Sequence, residues 1–511
     1  MQTRHFPHAR AAFWVCVFFP LVAVLANDQE ITGQLAMRRE RPAITGQGIN
    51  VAQPEGSTGG NDWQVHPDYN PNTFLTWTSD LGTATNFPNS VGVTSGHAGG
   101  VADYFFSIYG RGVAPGVARV DSYEAGYFIN NLIVPLTGIP ARVVNQSFVS
   151  NEPLDIFYDA YAARFNVLFV SGVQNSPEIA PPSPGSSYNG IAVGIISDSA
   201  QTSVGPTADG RAKPDLVAPF FCCSSFSTPQ VSGAAALLLQ AAAADDGGSN
   251  TSVIATNSSV IKALLLNGAV KMTNWTNGFR RPLDARYGAG VLNMYNSDLQ
   301  LRGRRHAASA TNGVALNAAH PPTGATNTVA SVRGWDFSTI QSAMLNDRVA
   351  HYFFELSTNS AAHSVTATLV WKKGTGTLTN LDLFLYETTS NTLVTCSTSS
   401  VDNVEHLFVP KLPAGRYDLQ VLKRGSALAG SESYALAFDF SPVQLKAGLN
   451  GTNVVIAWPS SPAGFTLQTA TALEAPVLWQ DVAATNSILS NAMNTVIWPA
   501  SSAQFFRLFR P

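Results

Sequence analysis

Charge is scarce in this chain of 511 residues: only 12% are Asp, Glu, Lys or Arg, and the formal net charge is −3. Binding a polyanion needs clustered cations, so neither nucleic acid nor an acidic surface is expected as a partner. Cysteine is scarcer still, with four residues. Cys16 lies in an N-terminal stretch read below as removable, which leaves Cys222, Cys223 and Cys396. An odd number argues against a disulfide framework, and adjacent cysteines rarely bond to each other, so buried free thiols are expected. No Cys/His spacing of the metal-binding kind occurs. Beyond the N-terminus no apolar run approaches the length of a membrane span.

What is present describes a folded, sparsely charged protein, 45% hydrophobic and too long for one core, so two or three domains are expected. Arg4 and Arg10 precede an apolar run from Ala11 to Ala26 that ends in Val24-Leu25-Ala26, the pattern of an export signal. An uncleaved anchor is the alternative, and Pro20 interrupts it. The reading is a signal peptide over 1–26, a secreted or periplasmic location, and no membrane contact after cleavage.

The most telling stretch runs from Pro219 to Ala244. From Val231 onward it is Ala and Leu, broken only by Ser232, Gly233 and Gln240. A run apolar on every face predicts a helix buried inside a domain. Pro229 is expected in its first turn, where a missing N–H costs nothing. Ser225 and Ser227 then fall at or just before a helix N-terminus, among unpaired N–H groups and the positive end of the dipole. Such serines are commonly N-caps. They are also well placed for a reaction that develops negative charge.

Ser225-Phe226-Ser227-Thr228-Pro229, followed by Val231, Gly233 and the Ala-rich helix, resembles the nucleophile segment of the subtilisin-like serine proteases. Gly205-Pro206-Thr207, Asp209-Gly210-Arg211 and Lys213-Pro214-Asp215-Leu216-Val217-Ala218-Pro219 extend the resemblance, which covers about residues 45–300. It implies an α/β fold, a parallel sheet flanked by helices, with Ser225 as nucleophile. Ile49, Val51 and Ala52 predict a short buried strand ending at Gln53-Pro54-Glu55-Gly56. Glu55 stands where the family has an Asp, so the resemblance makes it the triad acid; Asp62 and Asp68 compete for the role. Thr94 to Ala102 is similar to the histidine segment, with His97 opening a helix. Asn166 to Val173 is a near-continuous apolar run, as central parallel strands read. Asn175 follows it, at the place of the family's oxyanion amide; losing such a donor costs about 10²–10³ in rate. Ser147, Phe148 and Val149, with Gly172, Val173 and Gln174, are the implied substrate-binding residues. Val149 and Gln174 replace glycines that line the family's specificity pocket, so the pocket is expected to be small or blocked. Only Phe220 to Ser224 separate Pro219 from Ser225, a shorter loop than is usual.

Residues 27–44 leave no room for the folded inhibitory prodomain that such proteases commonly carry. Val260 to Leu266, with Asn267-Gly268 as a stop, predicts another helix. Tyr287 to Asn293 looks like the close of the peptidase domain, assigned to 45–303. Residues 304–330 lose helical period and read as a linker. Beyond it the period is two, in Thr366 to Trp371, Leu381 to Tyr386, Arg416 to Leu422 and Tyr434 to Phe440. That predicts a β-sandwich over 331–441, followed by a small β-module over 442–511. The change of period predicts units separable by proteolysis within 303–330. Trp371, Trp458 and Trp479 are core positions or platforms for a carbohydrate or cell-surface ligand.

The expected function is a secreted serine endopeptidase acting on polypeptide, with Ser225, His97 and Glu55 as triad and Asn175 at the oxyanion. The chain order of acid, base and nucleophile excludes the trypsin and esterase arrangements, and no Gly-x-Ser-x-Gly elbow surrounds Ser225. No cofactor is expected; the resemblance brings calcium as a ligand of the family, with no ligand residues identifiable here. The alternative is a non-catalytic protein of the same fold that binds polypeptide or carries the β-modules.

Overall fold

The computed structural model describes residues 28–509, apart from 58, 197–201, 221, 246, 249–251, 273, 344, 358–362, 426–429, 443–444, 451–452, 460–464, 474–476, 484–486, 491–492 and 500–503. The expected signal peptide lies outside the described residues. Eight strands make the first sheet: β1 (Asn50–Glu55), β2 (Phe74–Ser79), β3 (Gly82–Ala84), β4 (Arg119–Glu124), β5 (Val143–Gln146), β6 (Leu168–Gly172), β7 (Ile191–Ile196) and β8 (Leu216–Pro219). Their order is β8-β7-β6-β5-β1-β4-β2-β3, and every pairing is parallel except β2 with β3. The sheet is covered by α1 (Gly96–Phe105), α2 (Asp155–Phe165), α3 (Ser224–Ala243), α4 (Ser258–Asn267) and α5 (Met294–Arg302). This is the parallel α/β arrangement, flanked by helices, that the resemblance implies. Helix α3 is buried almost all round, as its apolar run predicts. Its interior Gln240 is spoken for: Oε1 accepts from the N–H groups of Thr45, Gly46 and Gln47, and Nε2 donates to the Ala43 carbonyl.

The start of α3 differs from the expected one. The helix begins at Ser224, so Ser225 and Ser227 are inside it and Pro229 stands in its second turn. There proline cannot donate to the carbonyl four residues back, that of Ser225. The Ser147 hydroxyl, just past β5, donates to that carbonyl instead, at 2.8 Å. Gly268 also acts differently from a left-handed stop: its φ is −74°, and a Cβ there would come within 2.4 Å of the Ser297 hydroxyl. Close approach of α5, rather than a turn, requires the glycine.

The C-terminal region is built of antiparallel sheets. Strands β9 (Ala310–Ala315), β10 (Arg333–Ser342), β11 (Asn346–Leu356), β12 (His363–Trp371), β13 (Leu381–Glu387), β14 (Thr392–Ser397), β15 (Val404–Leu412), β16 (Gly415–Lys423) and β17 (Gly430–Asp439) form two of them. The orders are β9-β11-β16-β13-β14 and β10-β17-β12-β15, and one apolar core lies between the sheets. The expected linker is therefore partly structural, since Ala310–Ala315 pairs along β11. The shorter sheet turns its other face to the first domain. Trp335, Val370, Val404, Ala435 and Ala437 belong to the same core as Leu264, Leu265 and Leu266 of α4. Two smaller antiparallel sheets follow, one containing Asn453–Pro459 and Met493–Pro499, the other Thr466–Ala470 and Phe505–Phe509. Trp371 and Trp458 are buried core residues, and Arg507 lies 4.4 Å over the ring of Trp479. Burial leaves Trp371 and Trp458 no free stacking face, and Arg507 takes one face of Trp479. Among the described residues no helix is long and apolar enough to cross a membrane.

Candidate active site

The site gathers at the carboxyl ends of the central strands, the usual ligand-binding edge of an open α/β sheet. Glu55 is the last residue of β1, with its side chain only 1% exposed. Its Oε2 lies 2.8 Å from Nδ1 of His97, and its Oε1 accepts from Nε2 of Gln53 at 2.9 Å. The same Gln53 nitrogen donates to the carbonyl of Ala98, next to the histidine. Both carboxylate oxygens are thus tied down in a buried place, as an ionised group there requires. Of the competing acids, Asp62 accepts from Ser57 and the Gly59 N–H, and the exposed Asp68 faces His66 at 3.5 Å.

His97 is the second residue of α1, whose N-cap Ser95 accepts from the Ala98 N–H. The imidazole is 31% exposed, so one edge remains open to a substrate. Its hydrogen bond to Glu55 raises the pKa above the ordinary histidine value, against the opposing effect of burial. The small residues after it have a use. A Cβ on Gly99 would reach within 2.6 Å of the Tyr69 hydroxyl, and one on Gly100 within 2.6 Å of the Phe226 ring. Gly100 lets α1 and α3 approach, and the Phe226 ring settles 5.7 Å from that of His97.

Ser225 directly precedes Phe226, the residue whose ring lies beside His97. It is the serine at the open end of the helix, since Ser227 is fully buried with its hydroxyl donated to the Ser224 carbonyl. Ser147 fixes the Ser225 carbonyl and is itself bonded by Asn145, which in turn accepts from Ser232 of α3. No hydrogen bond joins the Ser225 hydroxyl to His97. Asn175 follows β6 and is exposed. Its Oδ1 accepts from the N–H and the hydroxyl of Ser224, at 2.9 and 3.1 Å. With the acceptor half of the amide engaged, its Nδ2 remains the donor beside the N-terminus of α3.

The expected substrate residues divide. Phe148, Val149 and Gln174 are half-buried at the strand ends. Gly172 and Val173 are committed to the fold, contrary to the expectation. A Cβ on Gly172 would meet the Ser224 hydroxyl at 2.8 Å, while the Val173 N–H donates to Val193 and its carbonyl accepts from Ser224. The Gln174 side chain turns back to accept from the Asn175 N–H. The cysteines also differ from the expected buried thiols, for Cys222 is exposed and Cys223 and Cys396 are half-buried. Three supporting residues escaped sequence reasoning: Gln53, Ser224 and Phe226. Gln53 was findable, because residues two apart on a strand share a face. Among the described residues no group of three or more His, Cys, Asp or Glu is placed to hold a metal ion.

Residues 110–290 match the model of the subtilase family. That span includes Ser147, Asn175 and Ser225 and stops short of Glu55 and His97, which the folded geometry adds. No curated protein matches the chain. Similar solved structures include the prenylagaramide maturation protease PagA, 20% identical over 52% of this chain and 98% of that one, with a TM-score of 0.37. The PatG macrocyclase in complex with peptide is 14% identical over 55% of this chain and 99% of that one, at 0.41. Tripeptidyl peptidase 2 is 13% identical over 82% of this chain and 51% of that one, at 0.33. The stretch that matches the subtilase model, residues 110–290, thus lies within the mostly parallel eight-stranded sheet and its flanking helices.

Proposed function

We propose that this protein is an exported serine endopeptidase that cleaves polypeptides with a Ser225–His97–Glu55 triad. The observation that carries the reading is the 2.8 Å contact between His97 Nδ1 and a buried carboxylate at the end of β1. An acid there holds the imidazole in the tautomer that presents Nε2 as a base and stabilises the imidazolium once formed. His97 takes the Ser225 proton as the hydroxyl attacks the peptide carbonyl, then returns it to the departing amine. The Ser225 N–H and Asn175 Nδ2 receive the oxyanion. Phe148, Val149 and Gln174 narrow the cleft and favour small side chains next to the cleaved bond. Export rests on Arg4, Arg10 and the apolar run to Ala26, with a mature N-terminus near Asn27.

A non-catalytic binding protein of the same fold is the second reading, favoured by the missing hydrogen bond between the Ser225 hydroxyl and His97. Fluorophosphonate treatment of the purified protein separates the two. Covalent labelling at Ser225, abolished in Ser225→Ala, is expected. A protein that stays unlabelled and leaves casein intact belongs to the second reading.

A further inference from the structure

Gln53 and Glu55 stand two residues apart on β1, on the face that meets α1, and both are buried, Gln53 fully so. One nitrogen makes two contacts there. Nε2 of Gln53 donates at 2.9 Å to Oε1 of Glu55 and at 2.9 Å to the Ala98 carbonyl, in the first turn of α1. The amide has no choice of orientation. Turned over, it would set its oxygen against a carboxylate and a carbonyl, two acceptors with no proton between them. Held as it is, its Oε1 has no hydrogen-bond partner among the described residues. The Ser122 hydroxyl, in register with Gln53 on the neighbouring β4, has none either.

A buried acceptor left unpaired costs about 1–3 kcal/mol. An apolar side chain of the same length would fill the space without that cost. What it could not supply is the donor that faces Glu55. The acid has a use for one. Glutamate carries one more rotatable bond than aspartate between backbone and carboxylate, so a single contact with His97 leaves the group able to pivot. The second contact, at Oε1, stops the pivot, and the bond to Ala98 fixes the amide to the helix that carries the histidine. Acid and base are joined twice, directly at 2.8 Å and again through Gln53.

We propose that Gln53 is a positioning residue for the reaction: its amide holds the Glu55 carboxylate in the one orientation in which Oε2 meets Nδ1 of His97. The inference rests on the Ser225–His97–Glu55 reading above. It adds a residue that touches neither the substrate nor the reacting atoms and acts only through the acid.

The test times fluorophosphonate labelling at Ser225 in the full-length protein as a function of pH. Gln53→Met, close in length and without a donor, is expected to label about 10²-fold more slowly at every pH, the cost of a misplaced catalytic group. Gln53→Glu gives the sharper result. Two carboxyl groups about 3 Å apart do not ionise together. The new acid therefore keeps its proton, donates to Glu55 as the amide does, and supports labelling close to the wild-type rate near neutral pH. As pH rises that proton is lost and the two charges repel. The rate then falls along an alkaline limb that neither wild type nor Gln53→Met shows. Labelling of Gln53→Met at the wild-type rate overturns the proposal and leaves the protease reading intact. So does a folded Gln53→Glu that is slow at every pH, or one without the alkaline limb, since a side chain that only fills space has no proton to lose. Should Gln53→Met fail to fold, the profile of Gln53→Glu decides alone. A wild-type protein that never labels overturns the protease reading, and the positioning role falls with it.

Discussion

The proposed triad acid, one methylene longer than aspartate, needs a site built for its length, and the residues around Glu55 supply one. Gln53 holds one oxygen and His97 the other. Shortening the chain withdraws the carboxylate from a 2.8 Å contact while the strand end stays in place, so Glu55→Asp is expected to lower kcat/KM rather than restore a family optimum. Glu55→Gln should cost about 10⁴, the loss that follows when the histidine takes the wrong tautomer. Full activity of Glu55→Gln, with Asp62→Asn inactive, would move the role to Asp62. The raised pKa of His97 sets a second expectation. The base must be neutral, so the acid limb of the kcat/KM profile should lie above the ordinary histidine value of 6.5. A variant that keeps residual activity without the carboxylate should show this limb shifted to lower pH. Stability follows the opposite sense. The pair's contribution is full below pH 6.5 and is lost as pH rises through the folded pKa. Order along the chain made the pairing of Glu55 with His97 legible in the sequence. The Phe226 ring beside His97 was not, because it depends on how closely α1 and α3 approach.

Helix α3 carries Ser225, the proposed nucleophile, on a turn whose own hydrogen bonding is incomplete. Pro229 removes the bond that the Ser225 carbonyl would accept, and Ser147, brought by β5, replaces it. A helix beginning at Ser224 and a proline in its second turn are compatible only because another element donates. Ser147→Ala leaves that carbonyl unpaired in a buried place, a loss of about 1–3 kcal/mol. A lowered Tm together with slower labelling of Ser225 is expected. An unchanged Tm would mean that water or a neighbour takes up the carbonyl, and the anchoring argument would fail. The apolar run made the helix itself plain from sequence. Its first residue was misplaced, since proline is most at home in a first turn and the serine that compensates for it lies far off in the chain.

At the scale of the molecule, the two largest bodies share a core. Every residue of α4 is buried, and the shorter C-terminal sheet covers it through Val370, Ala435 and Ala437. Polar groups pin the same junction: Thr368 donates to Asn267, the Ala212 N–H to Asp402, and the Lys373 N–H to Asn189. A period-two pattern announces strands without saying which body their second face covers, so sequence alone suggests separable units. The shared core predicts otherwise. A chain ending at Gly303 exposes the apolar face of α4 and is expected to aggregate, or to melt well below the full protein in a thermal scan. A soluble monomer that labels at Ser225 as fast as the full chain would show that the sheet is dispensable. The same junction has a bearing on synthesis. Ribosomes deliver α4 long before β12 and β17, so the nascent first domain waits with an uncovered flank while Glu55, His97 and Ser225 have already emerged. Completion of the fold is thereby postponed until the chain is nearly finished, and on the proposed reading so is the onset of hydrolysis inside the cell that makes it.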